Sequence, residues 1–303
     1  MDWQQQLKYR YATASMLEKL IAVNVIMLIL MYVSRTVGFL MQIDTDFFVN
    51  WLIFPKEIGE FIIQPWTIIT YAFMHSGFFH ILFNMLVLYF SGQIFLTFFS
   101  PKRLLNYYIL GAISGALIYM LSYNLFPAFS SVGDSYLIGA SASVMAVLVG
   151  TAAQVPNYNV RLILIGNVKL WVIAVVFVGL DVAQIPFGNA GGHLAHIGGA
   201  LIGYVYTQQL LKGNDFGQFI TTSFDYLNNM FSGKDRPKMK TVYRNKERKA
   251  KANSRNSTTT TTTITRTEKQ KRIDEILDKI SKSGYDSLTK EEKDFLFDAG
   301  KDI

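Results

Sequence analysis

The sequence predicts an all-α membrane protein: a bundle of six spanning helices, then a mostly disordered soluble tail that ends in a small helical hairpin. Three observations carry this prediction. Half of the 303 residues are hydrophobic, and the apolar residues gather into runs that approach the roughly 20 residues a spanning helix needs. Charge is unevenly placed, with 9 Lys/Arg and 8 Asp/Glu in residues 1–211 against 20 and 14 in residues 212–303. The connections between apolar runs alternate between basic and non-basic. The net charge of +7 therefore sits almost wholly in the tail. There it points to contact with anionic lipid or a protein partner, and not to nucleic acid. The absence of cysteine excludes disulfides and thiolate metal sites.

Four regions follow from composition. Residues 1–16 form a polar, aromatic lead-in, and the bundle occupies 17–211. Residues 212–268 hold an interfacial helix and a linker, and a small helical element occupies 269–303. The first span runs from Leu17 to about Leu40, with Arg35 placed to snorkel. Met41–Gly77 is a long connection rich in Trp, Phe and Ile, suited to the membrane interface. Phe78–Phe99 is the second span, and Lys102 and Arg103 follow it. Leu104–Phe126 is the third, Leu137–Val155 the fourth, Trp171–Ile185 the fifth and Gly192–Leu211 the sixth. Between the fourth and fifth, Arg161 and Lys169 flank Leu162–Ile165, a candidate surface hairpin. The basic connections alternate with the others, so positive residues inside place both termini in the cytoplasm.

In the tail, Phe216, Phe219, Ile220, Phe224, Leu227 and Phe231 share one helical face, which suits a helix lying on the cytoplasmic leaflet. Lys234–Arg255 is basic and Ser257–Thr263 is nearly all threonine, a disordered linker by composition. Ile273, Ile276, Leu277 and Ile280 form an apolar stripe. Gly284 ends that helix, and Thr289 with Glu292 forms a capping box that opens the next. Removal of residues 212–303 is expected to leave the core's chemistry intact.

The bundle is organised around Ile138–Gly150, IGASASVMAVLVG. Ala142, Ala146 and Gly150 recur every four residues on one helical face, and a face that bare lets neighbouring helices approach closely in lipid. Ser141 opens this segment as a candidate nucleophile held below the membrane surface. All four histidines lie in two places, His75 with His80 and His193 with His196. Polar groups inside a span are functional candidates by default. His80 and Asn84 are four apart and face the same way. His80, Ser141 and His196 come from three distant segments and lie at one depth, toward the non-cytoplasmic side.

His75–Asn84 reads HSGFFHILFN, Gly139–Ser141 reads GAS, and Ala195–Gly203 reads AHIGGALIG. Together and in this order they resemble the rhomboid family of intramembrane serine proteases, of the bacterial six-span type, across residues 17–211. The resemblance implies Ser141 as nucleophile and His196 as general base, a dyad without a third carboxylate. It implies His80, Asn84 and the Ser141 N–H as the oxyanion site, and His75 as support for the loop at its mouth. Gly199 and Gly203 would press the sixth span against the fourth. Substrates would be transmembrane protein segments, cut near the outer face where the helix unwinds, after a small residue. No cofactor is implied, and a bacterial inner membrane is the implied location.

Three residues depart from the family pattern. Ala142 stands where Gly is frequent. Met145 stands where an aromatic often packs under the base, which leaves His196 less rigidly held. Thr67, after Trp66, replaces a frequent Arg and puts that loop's anchor in doubt. Ser143 is the rival nucleophile and His193 the rival base. Asp181 reads as an interface or structural hydrogen-bonding group ahead of a third triad member. Two other classes stay open. One is a His-ligated metal protein, against which stands the lack of HExxH and of a carboxylate within either histidine motif. The other is a non-catalytic relative that binds membrane clients.

Overall fold

The computed structural model describes residues 2–44, 46–162, 165–232 and 262–301. The chain divides into two compact units, residues 1–235 and residues 236–303.

The first unit opens with α1 (Trp3–Thr13) and the long α2 (Met16–Met41). The connection that follows is well structured: α3 (Asp46–Asn50), β1 (Phe54–Pro55), α4 (Ile58–Ile63), α5 (Thr67–Thr70) and a 3-10 turn at Tyr71–Phe73. Then come α6 (Phe78–Phe98), α7 (Pro101–Leu125), β2 (Tyr136–Leu137) and α8 (Ser141–Gln154). A β3 (Asn159–Leu162) and β4 (Gly166–Lys169) pair lies at the expected surface hairpin and is antiparallel. The unit closes with α9 (Leu170–Gln184), α10 (Ala190–Leu211) and α11 (Gln218–Ser232).

Helices α2, α6 and α7, and α9 with the turn that follows it, are long and apolar enough to cross a membrane; α8 is shorter. Their outward faces are apolar. Ile26, Ile29 and Val33 on α2 and Val175, Val176 and Leu180 on α9 are all exposed, as expected where lipid is the solvent.

The fourth apolar segment is shorter than the sequence predicts. The helix begins at Ser141, not Leu137, because Gly139 takes φ +127°, a backbone region that excludes helix and disfavours any side chain. Tyr136 and Leu137 pair instead with Pro55 and Phe54 as an antiparallel ladder. The chain thus enters the bundle extended and turns into helix at the serine.

Short as it is, α8 is the centre of the unit. Ten of its 14 residues are buried, and α10, α7, α6 and α9 all pack on it. Small residues permit this. A Cβ at Gly111 or Gly115 would meet the Cβ of Ala146 or Ala142 at 2.7 or 2.5 Å. The departure at Ala142 is thereby absorbed, since its methyl sits opposite Gly115.

The long connection is anchored without the frequent arginine. Thr67 is buried and donates to the Gln64 carbonyl at 2.6 Å. Trp66 donates to the Trp51 carbonyl at 2.7 Å and stacks on the Trp51 ring. Tyr71 donates to the Ala112 carbonyl on α7. Tyr108 donates to the Ala72 carbonyl and meets buried Asn24 of α2. The bonds of Thr67, Tyr71 and Tyr108 satisfy groups that would otherwise be costly to bury.

Helix α11 belongs with the bundle more closely than the sequence suggests. Ile220 is buried and Phe216 packs on Tyr206. Asp215 pairs with Arg103 and accepts from Tyr206, and Lys102 pairs with Asp225. Phe219 and Phe224 remain exposed, available to the membrane surface. The side chains of Leu227 and Phe231 lie outside the described residues, as do Lys234–Arg255 and most of the threonine run.

The second unit is a helical hairpin of α12 (Thr262–Ser283) and α13 (Lys290–Lys301). Helix α12 starts seven residues before the expected boundary. Gly284 ends its turn at φ +76°. Thr289 N–H donates to Glu292, and Glu292 N–H to the Thr289 hydroxyl, the predicted capping box. Ile276 and Leu288 are buried, whereas Leu277 faces outward.

Candidate active site

Ser141 is the first residue of α8. The first α8 amide to find a helical acceptor is Val144, which bonds to the Ala140 carbonyl. The N–H groups of Ser141 to Ser143 are therefore the ones a helix start leaves over. Gly139 is required on two counts. Its φ is positive, and a Cβ there would lie 2.7 Å from the His80 ring. Its N–H donates to the Tyr71 carbonyl, which ties the serine turn to the structured loop.

Ser141, His80, Asn84, Met145, Asp181 and His196 line one cavity of about 750 Å³ between α6, α8, α9 and α10. Its walls are otherwise largely apolar, with Phe79, Phe83, Val87, Phe177 and Leu180 among them. A few convergent polar groups in an apolar cleft make a default candidate site. Ser141 and His196 share the cavity without a direct hydrogen bond, a looseness common before substrate tightens such a site.

The tautomer of His80 follows from its partners. Ser76 N–H lies 3.4 Å and Ser76 Oγ 2.9 Å from His80 Nδ1. A backbone N–H can only donate, so Nδ1 accepts and the ring proton sits on Nε2. Nε2 and Cε1 are the ring atoms that a Cβ on Gly139, beside Ser141, would meet. Asn84 is buried and gives one amide hydrogen to the His80 carbonyl at 2.9 Å, leaving its second free.

On the other side, Asp181 binds both histidines of α10. Its Oδ1 lies 2.7 Å from His196 Nδ1 and 2.8 Å from His193 Nδ1. A carboxylate accepts only, so both rings donate from Nδ1, and neutral His196 keeps a lone pair on Nε2. The expected serine–histidine pair has no carboxylate, and here one is bonded to its histidine, as the reading of Asp181 as a hydrogen-bonding group allows. The reason is steric as well as electrostatic. Leu170, Ala174 and Asp181 are the buried residues of α9, spaced four and seven apart, so the carboxylate lies on the one face that meets α10. The i, i+4, i+11 spacing was readable in the sequence, but not the partner. Met145 lines the cavity and is buried among Leu148, Ala174 and Ala200. Where the sequence leaves His196 without an aromatic support, Asp181 supplies a hydrogen bond.

The remaining residues separate cleanly. Ser143 is fully buried with no partner for its hydroxyl and faces Gly111 of α7, outside the cavity. His193 touches Asp181 but does not line the cavity. His75 is fully buried, stands edge-on to His80 with ring centroids 5.1 Å apart, and has no partner for either ring nitrogen. Burial, and secondarily His80, pulls it down to about 4, so it stays neutral at physiological pH. Gly199 and Gly203 lie against the backbone of Ala142 and Ala146.

A helical bundle with apolar outward faces, and with a serine, two histidines and an asparagine around one apolar cleft, defines the class: an integral membrane protein with a polar candidate site in its interior. Residues 63–213 match the rhomboid domain, and through it the chain belongs to the rhomboid family. Residues 262–299, the helical hairpin, match DUF6576, a family of unknown function. Rhomboid protease GlpG of Haemophilus influenzae is 27% identical over 180 residues, 59% of this chain and 83% of that one. RHOMBOID-like protein 12, mitochondrial, of Arabidopsis thaliana is 28% identical over 186 residues, 55% of each chain. Inactive RHOMBOID-like protein 8 of the same plant is 32% identical over 141 residues, 44% of this chain and 36% of that one. The chain thus spans about half the length, or less, of several of its curated relatives.

Proposed function

We propose that this protein is an intramembrane serine endopeptidase that cuts transmembrane segments of membrane proteins near the outer face. The observation that carries the reading is the convergence on one cavity of the Ser141 hydroxyl, a His196 ring whose Nε2 is free to accept, and the donors His80 and Asn84.

The chemistry runs as acyl transfer. Ser141 Oγ attacks the scissile carbonyl as its proton passes to His196 Nε2. The carbonyl oxygen gains the negative charge and accepts from His80 Nε2–H, Asn84 Nδ2–H and the Ser141 N–H. Each such donor contributes about 3–4 kcal/mol in the transition state. The tetrahedral species collapses, the C–N bond breaks, and His196 returns the proton to the departing amine. Water, deprotonated by His196, then releases the acyl group. Asp181 holds the imidazole in the required tautomer throughout. The substrate must arrive unwound, because a helical peptide keeps its carbonyl in the backbone ladder. The basic connections support both termini on the cytoplasmic side, and the similarity to rhomboid protease GlpG of Haemophilus influenzae supports a bacterial inner membrane.

Reconstitution with a reporter transmembrane substrate tests this. Cleavage is expected for the wild type and lost in Ser141→Ala and His196→Ala, and a fluorophosphonate should label Ser141. Undiminished cleavage by either variant refutes the assignment. The similarity to an inactive relative keeps a second reading in play, a membrane-client binder. Retained substrate capture by a wild type that neither cleaves nor labels would support it.

A further inference from the structure

Asp181, His193 and His196 present three ligand atoms within 4.8 Å of one another. We propose that they bind a zinc-class divalent cation, and that the bound ion switches off the serine site by taking Nδ1 of His196. The inhibition rests on the protease reading; the binding does not.

Two imidazoles and one carboxylate are a donor set that suits zinc and its neighbours. The donors come from two helices that already pack together, with His193 and His196 three apart on one face of α10. They are sheltered: Asp181 is 7% exposed, and the two histidine side chains are 14% and 22% exposed. At bond lengths of about 2.0–2.1 Å, a tetrahedral ion holds its donors about 3.3 Å apart. The Asp181 oxygen now lies 2.8 and 2.7 Å from the two nitrogens. Those two pairs open by about half an ångström, and the two histidine nitrogens, within 4.8 Å of each other, draw together to admit the ion, within the reach of side-chain rotation. A further coordination position faces the cavity that His196 and Asp181 line.

The consequence for His196 is a change of tautomer. Today Asp181 accepts from Nδ1–H, and Nε2 offers a lone pair. With the metal on Nδ1, the ring proton moves to Nε2. No proton is gained or lost by the neutral ring, but Nε2 is now a donor and cannot take the Ser141 proton. The same carboxylate that prepares the base thus becomes a ligand that helps to disable it.

The test uses the full chain in detergent micelles, with Ser141→Ala for the binding arm. Cobalt(II), displaceable by zinc, is expected to bind once per chain with the visible bands of a tetrahedral site. His193→Gln and Asp181→Asn should each weaken binding about tenfold or more, while His80→Gln leaves it unchanged. The chain has no cysteine, so His193→Cys should add a thiolate-to-cobalt charge-transfer band, a signal that needs no comparison of stabilities. In the catalytic arm, micromolar zinc should inhibit the wild type. The inhibition curve of His193→Gln, scaled to its own metal-free rate, should shift to about tenfold higher zinc. Absence of saturable cobalt binding, equal affinity in all variants, no thiolate band, or loss only in His80→Gln overturns the site. Cobalt binding without any cleavage would instead count against the protease reading alone.

Discussion

Gly199→Ala should do more damage than its single methyl suggests. The added Cβ would fall inside the contact radius of the Ala142 carbonyl oxygen, with the carbonyl carbon at 2.7 Å and Cα at 2.9 Å. Carbon atoms settle at about 3.5–4.0 Å, so the shortfall is about 1 Å. All three obstructing atoms are backbone, so no rotamer relieves it, and α10 must back away from α8. Overpacking of this kind costs about 1–3 kcal/mol, with the upper end expected here. Because α8 carries Ser141 and α10 carries His196, the same displacement separates the reacting groups, and about 1 Å of misplacement can cost about 10²-fold in rate. The control is Gly179 on α9, where an added Cβ meets nothing within 4 Å. There alanine removes a helix penalty of up to about 1 kcal/mol and should be neutral or stabilising. Gly203→Ala, facing Ala146 Cα at 2.8 Å, should resemble Gly199→Ala. Thermal unfolding in detergent and cleavage of a reporter segment read both effects. A Gly199→Ala protein with wild-type melting and rate would refute the close α8–α10 contact and the argument built on it.

Other outcomes follow from particular residues. Asp181→Asn should lower kcat at least about tenfold with little change in KM, since the tautomer of His196 is no longer fixed; an unchanged kcat would leave Asp181 structural. His75 is pulled to about 4 when folded, whereas an unfolded histidine titrates near 6.5. Unfolding therefore takes up a proton between those values, and stability should fall as pH drops from about 6.5 to about 4, by about 3 kcal/mol at most. His75→Phe should flatten that slope, which chemical denaturation at several pH values would measure; an unaltered slope contradicts it. A chain ending at residue 235 should keep its melting temperature, but one ending at 211 should lose several degrees, because Ile220 and the Arg103–Asp215 pair go with it. In the hairpin, Lys279 lowers the carboxyl of Glu292, so that pair's contribution is present near neutrality and lost on acidification. Lys279→Met should make protection of α13 amides from hydrogen exchange less dependent on pH between 3 and 6, as roughly the carboxylate range.

The sequence by itself determined the elements that depend on local pattern. Apolar runs bounded by charge located the long helices, because a spanning segment must satisfy its own backbone and face lipid. Small residues every four positions marked Ala142–Gly150 as a face for close packing, and Thr289 with Glu292 announced a helix start. The set of His80, Asn84, Ser141 and His196 was also legible, since polar side chains inside apolar runs stand out.

Only the tertiary structure decided what depends on contacts across the chain. The fourth helix starts at Ser141 because Tyr136–Leu137 finds a strand partner 82 residues earlier, at Phe54–Pro55. Helix α11 joins the bundle through Asp215 and Asp225, whose partners Arg103 and Lys102 lie more than a hundred residues back. Above all, Asp181 looked like an isolated carboxylate near the end of an apolar segment. Its role arises because α9 turns one narrow face toward α10. There the cost of burying a charge is met by two imidazole donors that no spacing within α9 could reveal.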